Sequence, residues 1–194
     1  MGIVRAEPSD AKEAVALLRE AMGEIAEFLT GSGDEATILS TLERYFLNKK
    51  SRIGYEGAWL YREDTLGDSR VESDEVIGAI NCYLGDEARA LDEPILRHLR
   101  SLGIEQQIEV ECEKGDLYID SLAVKPQYRN RGIARKLIMH VVSLAQEMGA
   151  QRVALLVDCD KISLKEYYAR LGFSDEGERI IGTHRYARMI YTKE

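Results

Sequence analysis

Across residues 117–138 the chain passes from an apolar run, through a proline-punctuated turn, into a helical repeat, which reads as a strand, a turn and a helix. Residues 117–124 are short and apolar enough for a buried strand, and Lys125-Pro126-Gln127 breaks it. Ile133, Leu137, Val141, Leu144 and Met148 then recur at helical spacing, with Gly149 as a stop. The alternation continues with a strand at 153–157, a helix at 162–171 ending at Gly172, and strands from Phe173 and over 184–191. Upstream, 3–6 reads as a first strand, broken and capped by Glu7-Pro8-Ser9-Asp10. Val15, Leu18, Met22, Ile25 and Leu29 predict one helix, and Ile38, Leu39, Leu42, Tyr45 and Phe46 a second. Strands follow at 57–61 and 75–84, joined by a hairpin loop over 62–74, and a helix at 91–102 lies in an insertion spanning 85–114. This interleaving predicts an α/β (mixed α+β) fold, a mixed sheet flanked by helices in a single domain over 1–194.

The start of the long helix is chemically distinctive. A helix N-terminus leaves about four backbone N–H groups without internal acceptors, and its dipole favours anions. Yet Lys125, Arg129, Arg131, Arg135 and Lys136 crowd this one, with no acidic residue among them, in a chain of net charge −8. Cations there oppose the dipole unless an anion lies between, and a pyrophosphate is the simplest one. Gly132 and Ala134 are small enough for a ligand to reach the backbone. The competing reading is a solvated basic helix start.

Arg129-x-x-Gly132-x-Ala134 resembles the Gln/Arg-x-x-Gly-x-Gly/Ala pyrophosphate loop of the GNAT acetyltransferases, and Tyr168-Ala169-Arg170-Leu171-Gly172-Phe173 is similar to the segment that closes that family's cofactor-side helix. The resemblance covers about residues 115–175 and implies a mostly antiparallel sheet with one splayed strand pair for acyl-CoA. It implies acetyl-CoA as cosubstrate and a primary amine as acceptor, on a small molecule or a protein. It implies that Arg129, Asn130, Arg131, Gly132, Ile133, Ala134 and Arg135 hold the pyrophosphate. Leu122, Ala123 and Val124 would meet the acetyl carbonyl and pantetheine amides, and Tyr168 would be the general acid at the leaving sulfur. Where the family often has Asn, this chain has Lys161, expected near a CoA phosphate. Dimers are frequent among similar proteins, so a homodimer fits. A weak acyl-CoA sensor and a transferase for longer acyl groups share the same loop.

Alternation along a strand puts Tyr118, Asp120, Leu122 and Val124 on one face. Asp120, a carboxylate in apolar company, is the expected base or anchor of a water relay; the alternative is a bond to nearby backbone or to Ser121. The acidic run of Glu105, Glu109, Glu111, Glu113 and Asp116 reads first as a solvated loop and second as an attractor of cationic amines. Trp59, Tyr61, Asn81 and Tyr83 read either as acceptor-pocket or as core residues. Ser32 and Glu35 suit a capping box rather than a dinucleotide loop.

With 34 acidic against 26 basic residues, the chain is poorly suited to nucleic acid or an anionic membrane surface. Cys82, Cys112 and Cys159 are odd in number and widely spaced, and with three histidines they show no metal-ligand spacing. A reducing cytoplasm is the expected compartment, and residues 1–8 are too short and polar for a leader.

Overall fold

The computed structural model describes residues 2–62 and 75–192. The hairpin loop expected over 62–74 therefore lies outside the described residues, except for Arg62 at a strand end. The described elements are β1 (Gly2–Arg5), α1 (Ala11–Met22), α2 (Ile25–Thr30), α3 (Glu35–Leu47), β2 (Ala58–Arg62), β3 (Val76–Leu84), α4 (Ala88–Ser101), β4 (Asp116–Val124), α5 (Ile133–Glu147), β5 (Arg152–Asp158), α6 (Ile162–Arg170), β6 (Ser174–Ile181) and β7 (His184–Tyr191). The strands form one sheet in the order β1-β2-β3-β4-β5-β7-β6. Every neighbouring pair is antiparallel except β4–β5, which is parallel. The mixed sheet expected from the interleaved elements is present, and it is mostly antiparallel as the resemblance implies.

Each face of the sheet carries its own core. On one side Val15 and Leu18 of α1, Leu42 and Phe46 of α3 and Ile95 and Leu99 of α4 pack over Ala58, Ala79 and Ala123. Small side chains on the strands let α1 lie close to β3 and β4. On the other side Ile133, Leu137 and Val141 of α5 cover Ile80, Ile119 and Leu155. Gly78 of β3 faces the start of α5, where an added Cβ would stand 3.0 Å from Ile133 and 3.2 Å from Leu137. That close approach fixes the height of the α5 N-terminus over the sheet.

Two local expectations are corrected. The single helix read across Val15–Leu29 is two, because Gly23 takes φ 54°, ψ −132°, which no helix continues through. The cap of α3 is Asp34, whose carboxylate accepts the Thr37 N–H at 2.9 Å, while Ser32 Oγ accepts the Asp34 N–H.

Candidate active site

The site forms where β4 and β5 part. They pair only at Asp116–Tyr118 with Arg152–Ala154. The closed end is held by ions: Asp116, fully buried, accepts Arg152 Nε at 2.6 Å and Arg188 Nη1 at 3.0 Å. Arg188, also fully buried, donates through Nε to Glu176 at 2.9 Å. Guanidinium groups from β5 and β7 thus converge on one β4 carboxylate. Beyond Tyr118 the strands diverge, and Ile119–Leu122 and Leu155–Asp158 line opposite walls of a cleft of about 590 Å³. Lys161, Leu164 and Tyr168 of the α6 region line it on one side, and residues 20–25, including the Gly23 turn, on the other.

Downstream of β4 the loop rises to α5. Asn130 and Gly132 are both left-handed, at φ 62° and 76°, a conformation that Asn and Gly tolerate best. Turns of this kind aim successive N–H groups to one side and make anion-binding concavities. A Cβ added at Gly132 meets nothing within 4 Å, so the backbone there faces open space. Ile133, Ala134 and Arg135 begin α5, and their N–H groups have no intrahelical acceptor. Three of the five cations are engaged: Lys125 with Glu75 at 2.6 Å, Lys136 with the Tyr61 hydroxyl at 2.9 Å, and Arg129 through Nε with the Val124 carbonyl at 2.9 Å. Arg131 lies over the Tyr128 ring at 5.0 Å, and among the described residues neither it nor Arg135 has a carboxylate partner. A diphosphate therefore fits this loop by space, by donors and by charge.

Tyr168 is buried, with its ring 5.6 Å from both Tyr167 and Phe173 and edge-on to each. Its hydroxyl has no hydrogen-bond partner among the described residues. Burial, reinforced by Tyr167, pushes its phenol from 10 up to about 12.

Asp120 is positioned by a bulge. Asn81 pairs with Ser121 while Cys82 pairs with Ile119, so Asp120 is left over. A bulge shifts the alternation of every later side chain. Leu122 and Val124 consequently pack on the α5 face with Ile119, while Tyr118 belongs to the cluster around Tyr83. The single face expected for Tyr118, Asp120, Leu122 and Val124 is corrected accordingly: Asp120 reaches Arg52, which lies over Tyr83 at 5.5 Å. Asp120 Oδ1 accepts Arg52 Nε at 3.0 Å and Nη2 at 2.5 Å, and Oδ2 accepts Ser121 Oγ at 2.9 Å. Arg52, buried in the loop before β2, also reaches Glu111 at 2.8 Å and Asp92 at 3.4 Å. Burial raises the Asp92 carboxyl to about 6 despite the opposing pull of Arg52.

Sequence reasoning missed Arg52, which lies 68 positions before Asp120 in an unremarkable loop. In the acidic run Glu105, Glu109 and Glu113 are exposed, as a solvated loop requires, but the sequence did not show the partners of Glu111, Glu113 and Asp116. Glu111 accepts Arg52 and the Tyr118 hydroxyl, the latter at 2.6 Å, and Glu113 and Asp116 serve the ion cluster at the closed end. Tyr61, Asn81 and Tyr83 are buried and Trp59 is half-buried, meeting His140 edge-on with ring centroids 4.3 Å apart; none of the four lines the cleft. Among the described residues no cluster of His, Cys, Asp and Glu could hold a metal ion, and no helix is long and apolar enough to cross a membrane.

Known proteins share this fold. The chain is similar over its full length to a crystal structure described as an acetyltransferase, which it also covers fully, with a TM-score of 0.81 at 23% identity. It is similar to an N-acetyltransferase from Staphylococcus aureus Mu50, with a TM-score of 0.76 at 20% identity, over 98% of this chain and 100% of that one. N-alpha-acetyltransferase 30 of Schizosaccharomyces pombe is 38% identical over 56 residues, which are 29% of this chain and 37% of that protein. The family model for the acetyltransferase (GNAT) family matches residues 18–173, the segment that holds the forked strands, the loop before α5 and Tyr168. The chain belongs to the GNAT acetyltransferase family.

Proposed function

We propose that the protein transfers an acetyl group from acetyl-CoA to a primary amine, as one catalytic domain acting in the cytoplasm. The observation that carries this reading is the β4–β5 fork, open to Tyr168 on one side, with β4 leading on through its loop into the donor-rich start of α5. Acetyl-CoA supplies the activated acyl group as a thioester. The N–H groups at Ile133–Arg135, with Arg131 and Arg135, bind the diphosphate. Arg129 acts on the loop instead, holding it to the Val124 carbonyl and to Glu20 at 3.3 Å. Lys161, at the mouth of the cleft, adds charge for a phosphate. The stretch of β4 at Leu122–Ala123, paired with β3 but not with β5, offers backbone groups on its open side to the pantetheine amides and to the oxygen that gains charge during attack.

The C–N bond forms as the C–S bond breaks, the sulfur leaves with a proton and the nitrogen gives one up. Tyr168 is the donor to sulfur. A phenol at about 12 stays protonated at any working pH, but it is a weaker acid than a thiol near ~8.5. Tyr168 therefore stabilises the departing thiolate by a hydrogen bond, and its proton crosses only as the nitrogen's is released. Asp120, ion-paired with Arg52, serves as the anchor of a relay of water. The relative from fission yeast is named for acetylation of α-amino groups, which favours a polypeptide amino terminus as acceptor.

The test is acetyl-CoA-dependent thiol release over amines and peptides, run beside Tyr168→Phe. Release with one acceptor class, lost in the variant, supports the reading. Tight acetyl-CoA binding with no release for any acceptor refutes it.

A further inference from the structure

Past Glu24, Ile25, Glu111, Ile181, His184 and Tyr186 the cleft opens into a second groove of about 510 Å³. Its walls are α2, residues 107–111 and the β6–β7 turn. The turn is tied across to that segment, since Gly182 N–H donates to Glu109 Oε2 at 3.1 Å. The walls are apolar at Phe28 and Ile108, and both Ile25 and Phe28 are 44% exposed. Two large apolar side chains held in water beside a reaction cleft are stabilised when a ligand covers them.

Charge at the seam points the same way. Among the described residues Arg52 is the one cation paired with Asp92, Asp120 and Glu111, and it lines the groove together with Glu24, Glu109 and Glu111, so carboxylates outnumber it there. Side-chain exposure is 6% for Asp92, 9% for Asp120 and 18% for Glu111. Of the three, only Glu111 lines both cavities. A cation arriving along the groove therefore meets Glu111 as it enters the cleft, and the groove continues beyond it to Gln107 and Thr183.

We infer that the groove takes the amino terminus of a polypeptide whose first residue has a large apolar side chain. Glu111 holds the ammonium at the seam, and Ile25, Phe28 and Ile108 receive the side chain. A lone apolar amine leaves the Gln107–Thr183 end unfilled, which favours a chain continuing past the first residue. This rests on the transferase reading and names its substrate class.

The experiment uses the full chain, acetyl-CoA and peptides identical except for a first residue of Leu, Phe, Ser or Asp, with 2-phenylethylamine alongside. Leu and Phe peptides should exceed the Ser peptide in kcat/KM by about tenfold or more, chiefly through KM. Phe28→Ser, at an exposed position, should narrow the Leu-to-Ser ratio severalfold, and Glu111→Gln should raise KM for all peptides without reordering them. Equal efficiency for Leu and Ser peptides, or a ratio unmoved by Phe28→Ser, overturns the inference while leaving the transferase reading intact. 2-Phenylethylamine outpacing every peptide also overturns it. Acetyl-CoA binding without acetylation of any acceptor overturns the transferase reading, and this inference with it.

Discussion

Tyr168→Phe removes one oxygen and keeps the ring that packs against Tyr167 and Phe173. Because the hydroxyl has no protein partner among the described residues, its loss strands no donor or acceptor, and stability should change by less than about 1 kcal/mol. The effect on chemistry should be large. A positioned proton donor contributes ~10²–10⁴-fold, so kcat should fall by about two orders of magnitude, or ~2.7 kcal/mol of barrier. Acetyl-CoA affinity by calorimetry should be unchanged. The pH behaviour is a second check. With its phenol at about 12, Tyr168 keeps its proton throughout the working range, so the wild type should show no falling limb from this group at pH 8–10. Between pH 10 and about 12 the folded state holds a proton that the unfolded state has lost, so stability falls as pH rises through that window, and the variant lacks this loss. Single-turnover kinetics is the right assay, since slow product release would mask the step. A variant within twofold of the wild-type chemical rate would refute the assignment.

Gly132→Ala meets no clash but must hold φ 76°, so it should cost about 1 kcal/mol of stability and weaken CoA binding only modestly. Gly132→Glu should abolish binding through charge, and a folded variant with unchanged affinity by calorimetry would remove the diphosphate from this loop. Arg188→Ala should lower urea-measured stability by about 3–5 kcal/mol, because it leaves a buried Asp116 with one cation fewer. Asp92 holds its proton to about pH 6 when folded and to about 4 when unfolded. Its contribution is thus fully present below pH 4 and lost as pH rises through 6; Asp92→Asn should flatten that fall in a pH series of melting temperatures.

The segment from Leu117 to Phe173 was legible because its signals are local. A helix start can be read from neighbouring residues, and so can a small residue at it such as Gly132, although the left-handed turn there appears only in the structure. Gly23 was not legible as a break, since the apolar spacing of Val15 to Leu29 runs unbroken through it and a lone glycine is tolerated in helices. The bulge at Asp120 was invisible for a different reason. Bulges are set by how two strands pair, and strict alternation along β4 alone predicts the wrong face for everything after it.

The sequence by itself determined most of the order and type of the elements, apart from the break at Gly23, and the basic, glycine-bearing start of α5, since each depends on residues within a few positions. Only the tertiary structure decided where the sheet forks, that Arg52 crosses 68 positions to clamp Asp120, and that α2, residues 107–111 and the β6–β7 turn enclose one groove. Those features are contacts between segments far apart in the chain. Their strength comes from burial and from ion pairs taken out of water, and neither exists until the segments have packed.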